Sequence, residues 1–175
     1  ESTGRPAEAI RLYRLFPDNP EAVERLGLLL AASGNYAEAI PAFETLMERT
    51  PTEARRLALA KAYVENKQLD KAQAVLQPSV QASPGNFDLR LFYGRVLRDQ
   101  RKFPEAAAEF SAAARIDPKS VAAWNELASA LVITEEYPRA LTAYDHIRAL
   151  NAEIPGNFFF RALAHDRLHQ RPEAL

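Results

Sequence analysis

His165 and His169, four residues apart in His165-Asp166-Arg167-Leu168-His169, form the one metal-like spacing in the chain. On a helix that spacing turns both imidazoles to one face, where they could hold zinc if a third ligand joined them. The glutamate that follows the first histidine of zinc peptidases is absent, and no third ligand is obvious. A bland reading is favoured, with one histidine partly buried and the other exposed. The adjacent carboxylates Glu135 and Glu136 fall in a stretch that reads as loop, where they are solvated charge. The chain has no cysteine, which removes thiolate nucleophiles, disulfides and sulfur-ligated metals. It also carries no Gly-x-Ser-x-Gly elbow, no phosphate loop and no dinucleotide fingerprint. These residues point to a non-enzyme that needs no cofactor.

Composition narrows the partner class. Lys plus Arg number 22 against 23 Asp plus Glu, so the net charge is −1. A nucleic-acid binder shows a basic surplus, and none is present. Apolar residues make up 47% of the 175, enough for an extended core. No apolar run approaches the roughly 18 residues of a membrane span. No signal peptide is visible at Glu1, and both ends look cut from something longer, so cytoplasmic and periplasmic settings are equally compatible. The alanine- and arginine-rich, cysteine-free composition has a bacterial character.

The elements that must position any site are set by an internal repeat. Pro104, Pro138 and Pro172 lie 34 residues apart, in Phe103-Pro104-Glu105-Ala106, Tyr137-Pro138-Arg139-Ala140 and Arg171-Pro172-Glu173-Ala174. Proline is favoured in the first helical turn, where its missing N–H costs nothing, so these prolines begin helices. Ala39, Ala72, Ala106, Ala140 and Ala174 follow at separations of 33, 34, 34 and 34 residues. Gly27, Ala60, Gly94, Ala128 and Ala162 run in parallel with the same separations. Two series of small residues in register mark close helix crossings, where a larger side chain would overpack. Pro17, Pro51, Pro84 and Pro118 end helices.

Helix pairs are predicted at 20–32 and 36–49, 53–66 and 69–82, 87–100 and 103–115, and 120–133 and 137–150. A further first helix is predicted at 155–169, and residues 5–16 read as a shortened second helix. Short loops force neighbouring helices antiparallel. Pro41, near a helix start, should be mild, whereas Pro78 should kink or shorten its helix. The predicted core is Leu26, Leu30, Phe43, Leu59, Tyr63, Leu76, Tyr93, Leu97, Phe110, Trp124, Leu127, Leu131 and Tyr144.

A period of 34 residues with two helices per unit, and Trp124-Asn125-Glu126-Leu127-Ala128 followed by Leu131, Tyr137, Ala140 and Tyr144, resembles the tetratricopeptide repeat. The resemblance covers nearly the whole chain. It implies an all-α, right-handed superhelical solenoid. As one domain, residues 1–175 divide into a partial repeat at 1–19, full repeats at 20–52, 53–86, 87–120 and 121–154, and a truncated one at 155–175. It also implies a concave side lined by first helices. The inward places then select a peptide groove made of Leu57, Lys61, Leu91, Arg95, Arg98, Asn125, Ser129 and Phe159. A family subgroup grips chaperone C-termini with a Lys-Asn-Asn-Lys-Arg clamp, but the first unit here has Glu24 and Leu28 at the matching places, so that clamp is not intact.

The expected function is a binding scaffold for a protein or peptide partner, with acidic and apolar residues on that partner to suit Lys61, Arg95 and Arg98. The competing expectation is that Arg95 and Arg98 pair with Asp99, Asp88 or Glu65. The alternative function is a structural module of a larger, cell-envelope type of complex, self-associating through its ends. The apolar edge at Phe158, Phe159, Phe160, Leu163 and Leu168 is where such association is expected.

Overall fold

A computed structural model of the chain describes residues 4–152 and 155–170. Among them are ten α-helices and no strands: α1 (Gly4–Tyr13), α2 (Pro20–Ala32), α3 (Tyr36–Arg49), α4 (Glu53–Glu65), α5 (Leu69–Ala82), α6 (Phe87–Asp99), α7 (Phe103–Ile116), α8 (Val121–Ile133), α9 (Tyr137–Ala149) and α10 (Pro155–Gln170). The repeat places nearly every boundary within a residue of these. The expected helix start at Pro172 lies outside the described residues, as does the side chain of His169.

First helices begin on side-chain caps. Asn19, Thr52, Asn86 and Ser120 each accept a hydrogen bond from the backbone N–H three residues on. Each cap satisfies a donor that a helix start leaves open. Second helices follow a tight turn instead. Gly34, Lys67, Arg101 and Glu135 adopt φ between 60° and 78°. Beside each turn the first helix is closed by a 6→1 bond, Asn35 to Leu30, Gln68 to Tyr63, Lys102 to Leu97 and Glu136 to Leu131. This is a Schellman closure, repeated four times.

The chain forms two compact units, Glu1–Ser79 and Val80–Leu175, divided within α5. In the first, α1 to α4 each touch their sequence neighbours; in the second, α6 to α10 do the same. The small-residue series lies where the helices cross. A Cβ added at Gly27 would stand 2.8 Å from Phe43, and one at Gly94 would stand 2.6 Å from Phe110. Ala39, Ala60, Ala72, Ala106, Ala128 and Ala140 are fully buried.

Four expectations need correction. α5 is not shortened by Pro78 but continues to Ala82. Leu76 and Val80 are buried on either side of the proline, and that packing offsets the lost hydrogen bond. α1 ends at Tyr13 rather than 16, in turns that bond Leu15 to Leu12 and Phe16 to Tyr13. Trp124 is only half-buried: its ring stacks on His146 at 4.1 Å and its Nε1 donates to the Pro118 carbonyl at 2.9 Å. Leu26 is half-buried as well, while the other eleven predicted core residues are buried.

Candidate functional site

The residues selected for a groove fall in both units, and each unit is described on its own. In the first, Leu57 is half-buried and Lys61 exposed, both on α4. In the second, α6 carries Leu91, Arg95 and Arg98, α8 carries Asn125 and Ser129, and α10 carries Phe159. Their environments differ sharply. Leu91 is buried, Asn125 and Ser129 are half-buried, and Phe159 is exposed.

The two arginines converge on one carboxylate. Glu126 of α8 accepts from Arg95 Nε at 2.8 Å on Oε1 and from Arg98 Nη1 at 2.5 Å on Oε2. Arg98 also donates to Asp99 Oδ1, from Nη2 at 2.9 Å and from Nε at 3.0 Å. Burial works against the charged guanidinium of Arg98, but its bonds to Asp99 and Glu126 more than compensate and raise its pKa. Of the three pairing candidates read from the sequence, Asp99 is a partner. Glu126 was missed, although it stands next to Asn125. Only the folded chain, which sets α8 beside α6, brings it within reach of both cations.

Glu126 is largely screened, with 15% of its side chain exposed, whereas 44% of Arg95 and 37% of Arg98 remain open. The cluster therefore presents guanidinium edges outward and hides its anion. Beside Glu126 in sequence, Asn125 Oδ1 is buried and has no hydrogen-bond partner among the described residues. An amide oxygen buried without a donor is costly.

Other candidates are less developed. His165 is exposed on α10, and the His169 side chain lies outside the described residues. Among the described residues no three His, Cys, Asp or Glu side chains gather as a metal site, and no helix is long and apolar enough to cross a membrane. Glu136 is partly screened; it accepts from Arg139 at 2.5 Å and from Thr134 at 3.2 Å. Phe158, Phe159 and Phe160 of α10 are exposed, whereas Leu163 and Leu168 are half-buried.

Comparisons place this architecture. A model of the tetratricopeptide repeat matches residues 2–54, 57–121 and 95–156, and a second model of that repeat matches 30–80. Among curated proteins no sequence matches. Solved structures do: MamA from Desulfovibrio magneticus RS-1 superposes with a TM-score of 0.73 at 20% identity, over 85% of this chain and 86% of that one. Another MamA crystal structure gives 0.74 at 18% identity over 86% and 91%. MamA of AMB-1 gives 0.73 at 21% identity over 89% and 87%. At these identities the likeness is one of fold: an all-α helical solenoid.

Proposed function

The chain belongs to the tetratricopeptide-repeat family, a family of protein-interaction scaffolds, and we propose that it works without catalysis by taking an extended peptide along the first-helix face of its second unit. The observation that carries this reading is the pair of part-exposed guanidinium groups that α6 holds on the screened Glu126 of α8. Arg95 and Arg98 offer part-exposed guanidinium edges to carboxylates. Asn125 stands half-buried beside Glu126 on α8. Phe159 adds an exposed apolar surface on α10. Ser129 lies one turn beyond Asn125, and Leu91 supports the wall from within. Leu57 and Lys61 hold on α4 the repeat places that Leu91 and Arg95 hold on α6. The partner that suits this chemistry is a peptide mixing acidic and apolar residues.

Glu126 gives the reading a sharp test, because an acidic ligand must compete with it. Peptide-display selection with the full chain, followed by fluorescence anisotropy in a salt series, measures the effect. Charge reversal, Arg95→Glu with Arg98→Glu, should weaken the selected acidic peptides by about tenfold or more. Glu126→Gln should tighten them and steepen the salt dependence. If neither set of variants moves the affinity, the recognition surface lies elsewhere.

A second reading, an assembly module that self-associates through its ends, is favoured by one observation. Large apolar side chains are exposed in two places: Leu12 on α1 with Leu15 and Phe16 in the turns after it, and Phe158, Phe159 and Phe160 on α10.

A further inference from the structure

The two arginines that meet on Glu126 are held in different ways. Arg98 is tied at three points. Its Nη1 donates to Glu126 Oε2 at 2.5 Å, and its Nε and Nη2 donate to Asp99 Oδ1 at 3.0 and 2.9 Å. Arg95 reaches Glu126 through one bond, from Nε to Oε1 at 2.8 Å, and 44% of its side chain is open. That bond leaves the Nη1–Nη2 edge, a fork that fits a planar carboxylate with two parallel hydrogen bonds. Glu126, with 15% of its side chain exposed, has little access to water for a replacement donor.

The cluster is not part of the packing common to the repeats. Phe92 and Ala58 hold the place of Glu126 in earlier first helices, and Ser129 and Val132 hold the places of Arg95 and Arg98 in α8. First helices of this chain therefore form with neutral side chains at all three places. The charges are an addition confined to α6 and α8, and drawing them out of water works against folding unless they are well paired.

We infer that Arg95 is the arginine that exchanges: a side-chain carboxylate of the bound peptide takes Arg95 from Glu126, while Arg98 stays behind and keeps Glu126 paired. This rests on the peptide-binding reading above and divides the work within its site. Arg95 touches the ligand, and Arg98 is a positioning residue that acts through Glu126. The physical reason lies in Glu126. A screened carboxylate left without any cation is strongly disfavoured, so Arg95 is free to leave only because Arg98 remains. Arg98 would have to break three bonds to follow the ligand, against one for Arg95. Asp99 is what makes that difference, since it takes two of the three. Glu126 thus acts as a built-in stand-in for the ligand's acidic group, holding Arg95 until a peptide carboxylate replaces it.

Fluorescence anisotropy with the full chain reads the division, using display-selected acidic peptides made with amidated C-termini so that only side-chain carboxylates remain. Arg95→Met should weaken binding by about tenfold or more, and adding Glu126→Gln should leave it weak. Arg98→Met should weaken it by about as much, because Arg95 is then the one cation left on Glu126 and is not released. Adding Glu126→Gln to Arg98→Met removes that hold and should return the affinity to within about threefold of the parent. Arg98→Lys keeps a cation on Glu126 and should also bind within about threefold of the parent, whereas Arg95→Lys loses the fork and should not. Circular dichroism at the assay temperature checks that each variant is folded. If Glu126→Gln fails to rescue Arg98→Met, or Arg98→Lys is as weak as Arg98→Met, then Arg98 touches the ligand itself and the division is overturned with the peptide reading intact. An Arg98→Met chain that binds like the parent overturns the division too. If no substitution of either arginine moves the affinity, the peptide reading falls with it.

Discussion

Tyr144 offers a substitution whose sign follows from the repeat itself. Its side chain is 1% exposed, and its hydroxyl has no hydrogen-bond partner among the described residues. The matching places in two other repeats hold Phe43 and Phe110, so a bare ring suits the site. A buried hydroxyl left unpaired costs roughly 1–3 kcal/mol. Removing one oxygen leaves a void too small to return all of that, so Tyr144→Phe should stabilise the fold by about 1 kcal/mol at neutral pH. For a chain of this length that raises Tm by about 2–4 °C. The pH dependence supplies an independent check. Burial pushes the Tyr144 phenol up to about 12 from its ordinary 10. The folded chain then holds that proton more tightly than the unfolded one. The contribution is fully present below pH 10 and lost as pH rises towards 12, at about 1.4 kcal/mol per pH unit. Tyr63 is raised too, by burial first and then by Glu44, but it stays in both proteins and cancels in their difference. Urea unfolding of parent and variant should therefore show a gap that widens above pH 10. A variant less stable at neutral pH, or a gap unchanged in alkali, would refute the account of Tyr144 as a stranded hydroxyl.

Three further outcomes are expected. Replacing Ala106 or Ala140 with Leu should destabilise by roughly 1–3 kcal/mol in thermal melts, because both are fully buried at helix crossings; unchanged melts would mean the register is misassigned. Arg101→Gly should stabilise by up to about 1 kcal/mol, since φ of 62° strains a residue with a Cβ, and Gly34→Ala should cost about as much in the opposite direction. No atom lies within 4 Å of a Cβ at Gly34, so its cost is purely conformational. Asn86→Ala and Ser120→Ala should each lose about 1 kcal/mol by uncapping α6 and α8, measured by urea denaturation.

Helix positions and crossing register were written into the sequence, because each depends on residue size recurring at a fixed period. Gly27, Gly94 and the buried alanines mark the crossings, and the Phe43 and Phe110 rings fill the space they leave. A side chain's volume is an intrinsic property, so its pattern survives without coordinates. The turns were only partly legible. Gly34 signals a left-handed residue, but Lys67, Arg101 and Glu135 adopt the same conformation with no glycine to announce it. There the four-fold Schellman closure outweighs local preference.

The candidate site was legible as a set of places and not as an electrostatic arrangement. Arg95, Arg98 and Asn125 could be picked out by repeat position, yet their state depends on Glu126, whose carboxylate spans from α8 to α6. Charge pairing falls off over a few ångströms and depends on rotamers and on the separation of two helices, neither of which a periodic pattern encodes. The sequence alone determined which residues are equivalent. The tertiary structure decided which equivalent faces are covered, because burial belongs to the neighbours of a helix and not to the helix itself.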